Sequence, residues 1–198
     1  MIKNLTYNVW VIFINYLFVI IFTPFFIIAC TIIYFLNFFY NKGPLFFSQN
    51  RLGLNGRNFR LYKFRTMFID AEKDGPQWAS FNDVRITKLG KFLRLARIDE
   101  LPQILNIIIG DINLIGPRAE RPEMRDMIIK HIPNFNDRLL IKPGITGLAQ
   151  INSGYSNNID QTAVKLEEDI QYIRSKTILL DIKILFKTIF IIFKLHGT

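Results

Sequence analysis

The sequence predicts a mostly helical α/β protein with one end in a membrane. Three observations predict it: a long uncharged apolar segment at the N-terminus, a basic domain of mixed helix and short strand after it, and a C-terminal apolar helix with a narrow lysine stripe. The 198 residues suffice for one domain with its own core. Half of them, 50%, are hydrophobic and 19 are Phe, yet the formal net charge is +9. That pairing points to a membrane-associated protein facing anionic partners, whether lipid, nucleotide, phosphate or nucleic acid.

The N-terminal segment comes first. After Lys3 the next charged residue is Lys42, and all the acids and every other basic residue lie from Lys42 onward. The chain therefore divides into residues 1–41, a membrane segment, and residues 42–198, a basic domain. A secretory signal has an apolar core of about 7–15 residues, far shorter than this. A straight helix over residues 4–41 would be roughly 57 Å long at about 1.5 Å per residue, against a hydrocarbon core of about 30 Å. The helix must tilt, extend beyond the bilayer or break. Pro24 stands near its middle, where it removes the bond to the Ile20 carbonyl, and the Thr23 hydroxyl can bond back to Val19. One tilted span, a two-span hairpin and a re-entrant helix-break-helix all fit. The cluster Lys42, Arg51, Arg57, Arg60, Lys63 and Arg65 puts the following domain on the cytoplasmic side.

The middle of the chain mixes helix with short strand. Phe59–Phe64 alternates like a strand, and Asn55-Gly56 before it signals a hairpin turn. Helices are expected over Asp99–Ile109, ended by Gly110, over Pro122–Ile132, closed by Pro133, and over Glu167–Lys176. Lys142-Pro143-Gly144 reads as a turn. In residues 176–195 the lysines Lys176, Lys183, Lys187 and Lys194 fall on one stripe at about 100° per residue, and Ile, Leu and Phe fill most of the rest. Such a helix suits the plane of a membrane interface, or a core with one solvent-facing stripe. The lone cysteine, Cys30, excludes an intramolecular disulfide and a cysteine metal cluster. His131 and His196 read as surface residues.

Three segments can carry chemistry. The first places the adjacent acids Asp99 and Glu100 after Arg94 and Arg97. They suit the dipole of a helix N-terminus, and equally a carboxylate nucleophile for phosphorus kept ionised by arginines. The second, Gly110 to Glu123, is punctuated by Gly and Pro and presents Arg118, a side chain suited to bidentate phosphate binding. The third, Lys142 to Gln150, sets Gly144 and Gly147 around Thr146, so that backbone amides can approach a ligand.

These segments and one more occur in a set order: Lys63-Phe64-Arg65-Thr66-Met67, Asp99-Glu100-Leu101-Pro102-Gln103, Gly110-Asp111 with Ile115-Gly116-Pro117-Arg118, and Lys142-Pro143-Gly144-Ile145-Thr146-Gly147. The pattern resembles the bacterial sugar transferase family, the monotopic phosphoglycosyl transferases that start glycan assembly, over nearly the whole chain. The resemblance implies a nucleotide sugar donor, usually a UDP-sugar, a polyprenyl (undecaprenyl) phosphate acceptor, and a ping-pong reaction through a phosphosugar-aspartate intermediate with Mg²⁺. Asp99 matches the nucleophile, which also helps hold the metal, and Glu100 its partner acid, which assists proton removal from the acceptor phosphate or positions it. Arg94 and Arg118 match phosphate-contacting arginines, Lys63, Arg65 and Thr146 join the substrate and phosphate-binding group, and Asp169 and Tyr172 match late acidic and tyrosine positions. Thr23-Pro24 matches the family's Ser-Pro helix break, which selects the re-entrant topology. The implied fold is partly embedded in one leaflet, with interfacial helices. The implied setting is the cytoplasmic face of the bacterial inner membrane, with membrane lipid and downstream glycosyltransferases as further partners and no nucleic acid.

Two departures stand out. Where the family often has Asn-Gly-Arg after Gln150, this chain reads Ile151-Asn152-Ser153-Gly154-Tyr155, which puts the usual inference about the sugar in doubt. The extra helices and domain that precede the module in larger members are absent from this sequence, so a minimal catalytic form is expected. A non-catalytic membrane scaffold for glycan assembly is the alternative, against which the intact Asp99-Glu100 pair argues.

Overall fold

The computed structural model describes residues 2–73, 75, 83–153 and 158–193. Gly154, Tyr155, Lys194 and His196 lie outside the described residues. Helix α1 runs from Ile2 to Tyr40 with Pro24 inside it. The expected break into two helices at Thr23-Pro24 is not seen. Proline deletes one backbone donor, and the Thr23 hydroxyl donates to the Val19 carbonyl at 2.6 Å, so the flanking helix continues. The bulk of α1 faces outward: only 6% of its most apolar stretch is buried, and Val9, Ile12, Phe13, Tyr16, Ile20 and Ile27 are exposed. An apolar surface of this extent needs lipid or a partner to cover it.

The inner side of α1 is tied to the rest of the chain near both ends. Trp10 Nε1 donates to Asp181 at 3.0 Å. Asn15 donates to the Asn113 side chain at 3.0 Å and accepts from the Leu114 amide at 2.8 Å. Asn37 donates to the Gly43 carbonyl at 2.7 Å and Asn41 to the Arg65 carbonyl at 2.9 Å. These polar residues punctuate an otherwise apolar helix on the side that meets the domain. Ile14 packs with Leu114, Tyr172 and Ile184, while Ile33 packs with Phe64, Leu89 and Leu93.

Strands β1 (Phe46–Leu52) and β2 (Asn58–Phe64) form the antiparallel hairpin expected from the sequence, paired from Phe46 opposite Phe64 to Leu52 opposite Asn58. The turn uses left-handed Asn55 and Gly56, the residue types that tolerate positive φ. Helix α2 (Lys88–Leu95), not foreseen, starts at Thr87, whose hydroxyl accepts from the Gly90 amide at 2.9 Å. The segment Asp99–Ile109 splits in two. Ile98–Gln103 is a 3₁₀ helix containing Pro102, and α3 runs from Ile104 to Ile109 until left-handed Gly110 stops it.

Strand β3 (Asn113–Ile115) lies parallel to β4 (Gly144–Thr146), a pairing hidden in segments read as a loop and a turn. The pair is close-packed at its glycines. A Cβ on Gly144 would sit 2.1 Å from the Gly116 amide nitrogen, and one on Gly147 2.2 Å from the Gly116 carbonyl oxygen. Gly144→Ala is therefore expected to destabilise the domain by about 1–3 kcal/mol through overpacking. Thermal unfolding in detergent checks this, and an unchanged Tm would contradict the close approach.

Helix α4 (Pro122–Ile128) ends sooner than expected, and Pro133–Leu140 continues as 3₁₀ helix. Helices α5 (Leu148–Ser153), α6 (Ile159–Ser175) and α7 (Ile178–Phe193) follow. Asn158 caps α6 by accepting from the Gln161 amide at 2.8 Å. On α7, Asp181 and Ile184 are buried, Leu179, Phe186 and Phe190 are exposed, and Lys183 and Lys187 stand between the two faces. Lys176 precedes the helix and lies over the Tyr7 ring at 5.5 Å. His131 is exposed, as read from the sequence.

Candidate active site

Arg97, in the left-handed region at φ 57°, turns the chain between α2 and the 3₁₀ helix that carries Asp99 and Glu100 in its first turn. A non-glycine residue there is strained, a state often found next to functional groups. Two elements then bring cations to Glu100. Lys63, near the end of β2, places Nζ 2.8 Å from Glu100 Oε1, and Arg118 places Nη2 2.9 Å from the same oxygen. Arg94, in the last turn of α2, donates from Nε to the Thr66 hydroxyl at 2.9 Å. Asp99, though 8% exposed, is held by no side-chain hydrogen bond or ion pair among the described residues.

The two acids differ in consequence. Burial opposes ionisation of Glu100, but Lys63 and Arg118 outweigh it and hold its pKa well below the usual carboxylate range. Burial pushes Asp99 the other way, above its ordinary value; Lys63, Arg94 and Arg118 oppose that rise while the Glu100 charge adds to it. One carboxylate is thus consumed as an anchor for cations, and its neighbour is left unengaged within their field.

Arg118 is positioned from behind. Buried Arg138 donates to the Arg118 carbonyl at 3.0 Å and pairs with Asp169 at 2.7 Å. Arg51 donates to the Ala119 carbonyl at 3.0 Å and lies 3.6 Å from Glu120. Asp169 is thus linked to the acidic pair through Arg138 and the backbone of the Arg118 loop.

Of the residues expected at the site, Asp99, Glu100, Lys63 and Arg118 come together, with Arg94 in the adjoining turn. Others are bonded elsewhere. The Arg65 guanidinium is buried and spent on the Asn41 side chain and carbonyl, the Pro44 carbonyl at 2.8 Å and the Met67 carbonyl at 3.1 Å, which fastens the end of α1. Thr146 hydrogen-bonds Thr188 of α7 at 2.6 Å. Tyr172 donates to Asp181 at 2.9 Å. Thr23 and Pro24 remain within α1. Sequence reasoning missed Arg138, Asn106 and Asp181. Asn106 donates to the Arg60 carbonyl at 2.7 Å and accepts from the Tyr62 amide at 3.0 Å, clamping α3 to β2. The signal for Asn106 and Asp181 was available: each is the lone polar or acidic residue in an apolar run.

A cavity of about 510 Å³ lies farther along β2, between the Gly53–Arg57 turn, Phe59, Gly110-Asp111 and Lys142, and none of the acidic-pair residues lines it. No group of three or more His, Cys, Asp or Glu side chains converges among the described residues. That does not make a closed metal cage. A hard cation can be held by one or two carboxylates with ligand phosphate oxygens and water, and Asp99 is the acid of the pair that forms no ion pair among the described residues.

The exposed apolar helix and the mostly helical domain with its cation-flanked acidic pair define a membrane-associated α/β protein. The chain belongs to the bacterial sugar transferase family, whose model matches residues 4–195. It is 45% identical over 149 residues to the UDP-N-acetylgalactosamine-undecaprenyl-phosphate N-acetylgalactosaminephosphotransferase of Aeromonas hydrophila, covering 75% of this chain and 35% of that protein. To the UDP-glucose:undecaprenyl-phosphate glucose-1-phosphate transferase of Klebsiella pneumoniae it is 40% identical over 152 residues, covering 76% and 33%. To the protein of that same name in Caulobacter vibrioides it is 38% identical over 153 residues, covering 75% and 57%. The chain spans about a third of the length of the Aeromonas and Klebsiella relatives.

Proposed function

We propose that this chain transfers a sugar 1-phosphate from a UDP-sugar to undecaprenyl phosphate at the cytoplasmic face of the bacterial inner membrane, with Asp99 as a covalent nucleophile. The observation that carries the reading is the division of labour in the acidic pair: Glu100 gathers Lys63 and Arg118, while Asp99 is left unengaged beside them. The names of the relatives support the substrate class.

In this reading an Asp99 carboxylate oxygen attacks the phosphorus that bears the sugar. The bond from that phosphorus to the bridging oxygen breaks, and UMP leaves with the electron pair. An oxygen of the acceptor phosphate then attacks the same phosphorus and expels the Asp99 carboxylate, giving the lipid diphosphate sugar. Lys63 and Arg118 offset the charge that accumulates on the phosphoryl oxygens. Glu100, with its depressed pKa, is a poor proton acceptor, so its role is to hold those two cations in place. Asp99 and the diphosphate oxygens would hold Mg²⁺, which supplies further neutralisation and in-line alignment when bound.

The tethers of α1 support a monotopic arrangement, with both ends of the helix on one side of the membrane. Trp10 and Asn15 near one end, and Asn37 and Asn41 near the other, bond to the same domain, while the opposite face of the helix is apolar and exposed. A helix crossing the bilayer would carry one of those ends away from the domain. In the monotopic reading both ends stay on the cytoplasmic side, at the depth where an acceptor phosphate lies.

The purified chain, given undecaprenyl phosphate and Mg²⁺, is expected to release UMP from at least one UDP-sugar. Silence with every donor tried would overturn the proposal. Arg118→Ala is expected to lower kcat/KM by about 10²–10³, the usual loss for one charge-stabilising donor. Arg118→Lys should recover only part of it, because an ammonium lacks the planar fork.

A further inference from the structure

A second cleft, away from the acidic pair, opens between α5, α6 and α7 and encloses about 240 Å³. Its apolar lining includes Ile151, Leu180 and Ile184, and its polar lining includes Asn152, Lys183 and Lys187. Neither lysine forms an ion pair among the described residues, and Lys187 reaches only the Asn152 side-chain oxygen, at 3.4 Å. The lysines stand one turn apart on α7, so their charges repel unless an anion lies between them.

The place of the cleft on α7 identifies that anion. Taking buried Ile184 as the inward direction, about 100° per residue puts Leu179, Phe186 and Phe190 on the far side, where all three are exposed. Lys183 and Lys187 fall at the border between the buried and the exposed apolar face. On a helix lying in a membrane interface, that border is at headgroup depth. Free phosphate would gain nothing from the apolar part of the cleft or from the face that continues it. A lipid gains from both.

We propose that this cleft binds the phosphodiester of an anionic phospholipid headgroup between Lys183 and Lys187, with the acyl chains laid along the exposed apolar face of α7. The site is separate from the acidic pair and orients the domain on the bilayer. The proposal rests on the membrane reading given above.

The test uses the full chain in detergent micelles, supplied with phosphatidylglycerol or phosphatidylcholine, with retained lipid counted by native mass spectrometry. Wild type is expected to retain phosphatidylglycerol in preference to phosphatidylcholine. The preference should fall by about fivefold for each lysine neutralised in Lys183→Gln and Lys187→Gln. It should survive in the charge-preserving arginine variants and in a control pair, Lys91→Gln with Lys130→Gln. UMP release in detergent reports that each variant is folded. Equal retention of the two lipids by wild type overturns the proposal, and so does an equal loss of preference in the control pair. Displacement of phosphatidylglycerol by inorganic phosphate would mark a simple anion site, and displacement by undecaprenyl phosphate a branch of the acceptor site; either result rejects the proposal as stated. A chain that stays soluble without detergent and retains no lipid refutes the membrane reading itself.

Discussion

Asp99→Asn is expected to abolish UMP release, by about 10⁴-fold or more, as when a covalent nucleophile is removed. The amide is nearly isosteric but cannot attack phosphorus and carry it. The same substitution should leave the protein at least as stable as wild type. Asp99 is buried with a raised pKa, so the native state is stabilised by its protonated form and weakened as the pH climbs past its unfolded value. Above that pH the buried carboxyl group is therefore a cost to the fold, and a neutral amide relieves it. Loss of activity with an unchanged or higher Tm separates a chemical role from a structural one. Rapid quenching of wild type with labelled donor should leave the phosphosugar on Asp99. Substantial turnover by Asp99→Asn, or a label mapped to another residue, would sink the nucleophile assignment.

The second large effect is expected at Asp181, far from the acidic pair. This carboxylate is fully buried and accepts hydrogen bonds from Tyr172 at 2.9 Å, Trp10 at 3.0 Å and Tyr7 at 3.5 Å. It joins the first turns of α1 to α6 and α7. In Asp181→Ala those donors lose their acceptor, at about 1–3 kcal/mol for each one left buried and unpaired. The tethers left on that half of α1 include Asn15 with Asn113 and Leu114, and the Tyr7 hydroxyl 3.1 Å from that of Tyr172. With that shared acceptor gone, the N-terminal arm of α1 is held more weakly and is expected to leave the domain and cross the bilayer as an ordinary span. A cysteine at residue 3, in a Cys30→Ala background, should be labelled from the cytoplasmic side in the parent and from the opposite side in Asp181→Ala. Pro24→Ala alone tests the competing idea that the proline sets the topology. The helix already runs through Pro24, so the tethers should hold the arm in that variant. An inverted N-terminus in Pro24→Ala together with an unmoved one in Asp181→Ala would reverse the ranking.

These two residues show how differently parts of the molecule could be read. Asp99-Glu100 was legible because two adjacent acids among arginines form a pattern within a single short segment. The hairpin was legible from Asn55-Gly56 and the alternation of Phe59–Phe64, since both signals are local. The two-sided character of α7 followed from its lysine spacing. Helix α2 was missed because its short amphipathic pattern has a glycine inside, and Gly90 is there so that α2 can meet the Thr66 backbone. The parallel pairing of β3 with β4 was missed because three-residue strands carry too little periodicity to register.

Arg65, Thr146 and Tyr172 were expected among the substrate-binding residues, and their observed contacts lie elsewhere. A basic or hydroxyl side chain inside a family motif reads the same whether it faces a phosphate or ties down a helix. Arg65 faces carbonyls at the end of α1, and Tyr172 faces Asp181.

By itself the sequence determined that one end of the chain is apolar and the other basic, that a hairpin precedes the acidic pair, and that arginines accompany it. Those properties follow from composition and from contacts between near neighbours. Only the tertiary structure decided that Lys63 and Arg118 meet on Glu100, that Asp99 is left unengaged, and that both ends of α1 return to one domain. Each of those depends on side chains brought together across long separations, where the gain from pairing buried charges and burying apolar surface selects among partners that look equivalent along the chain.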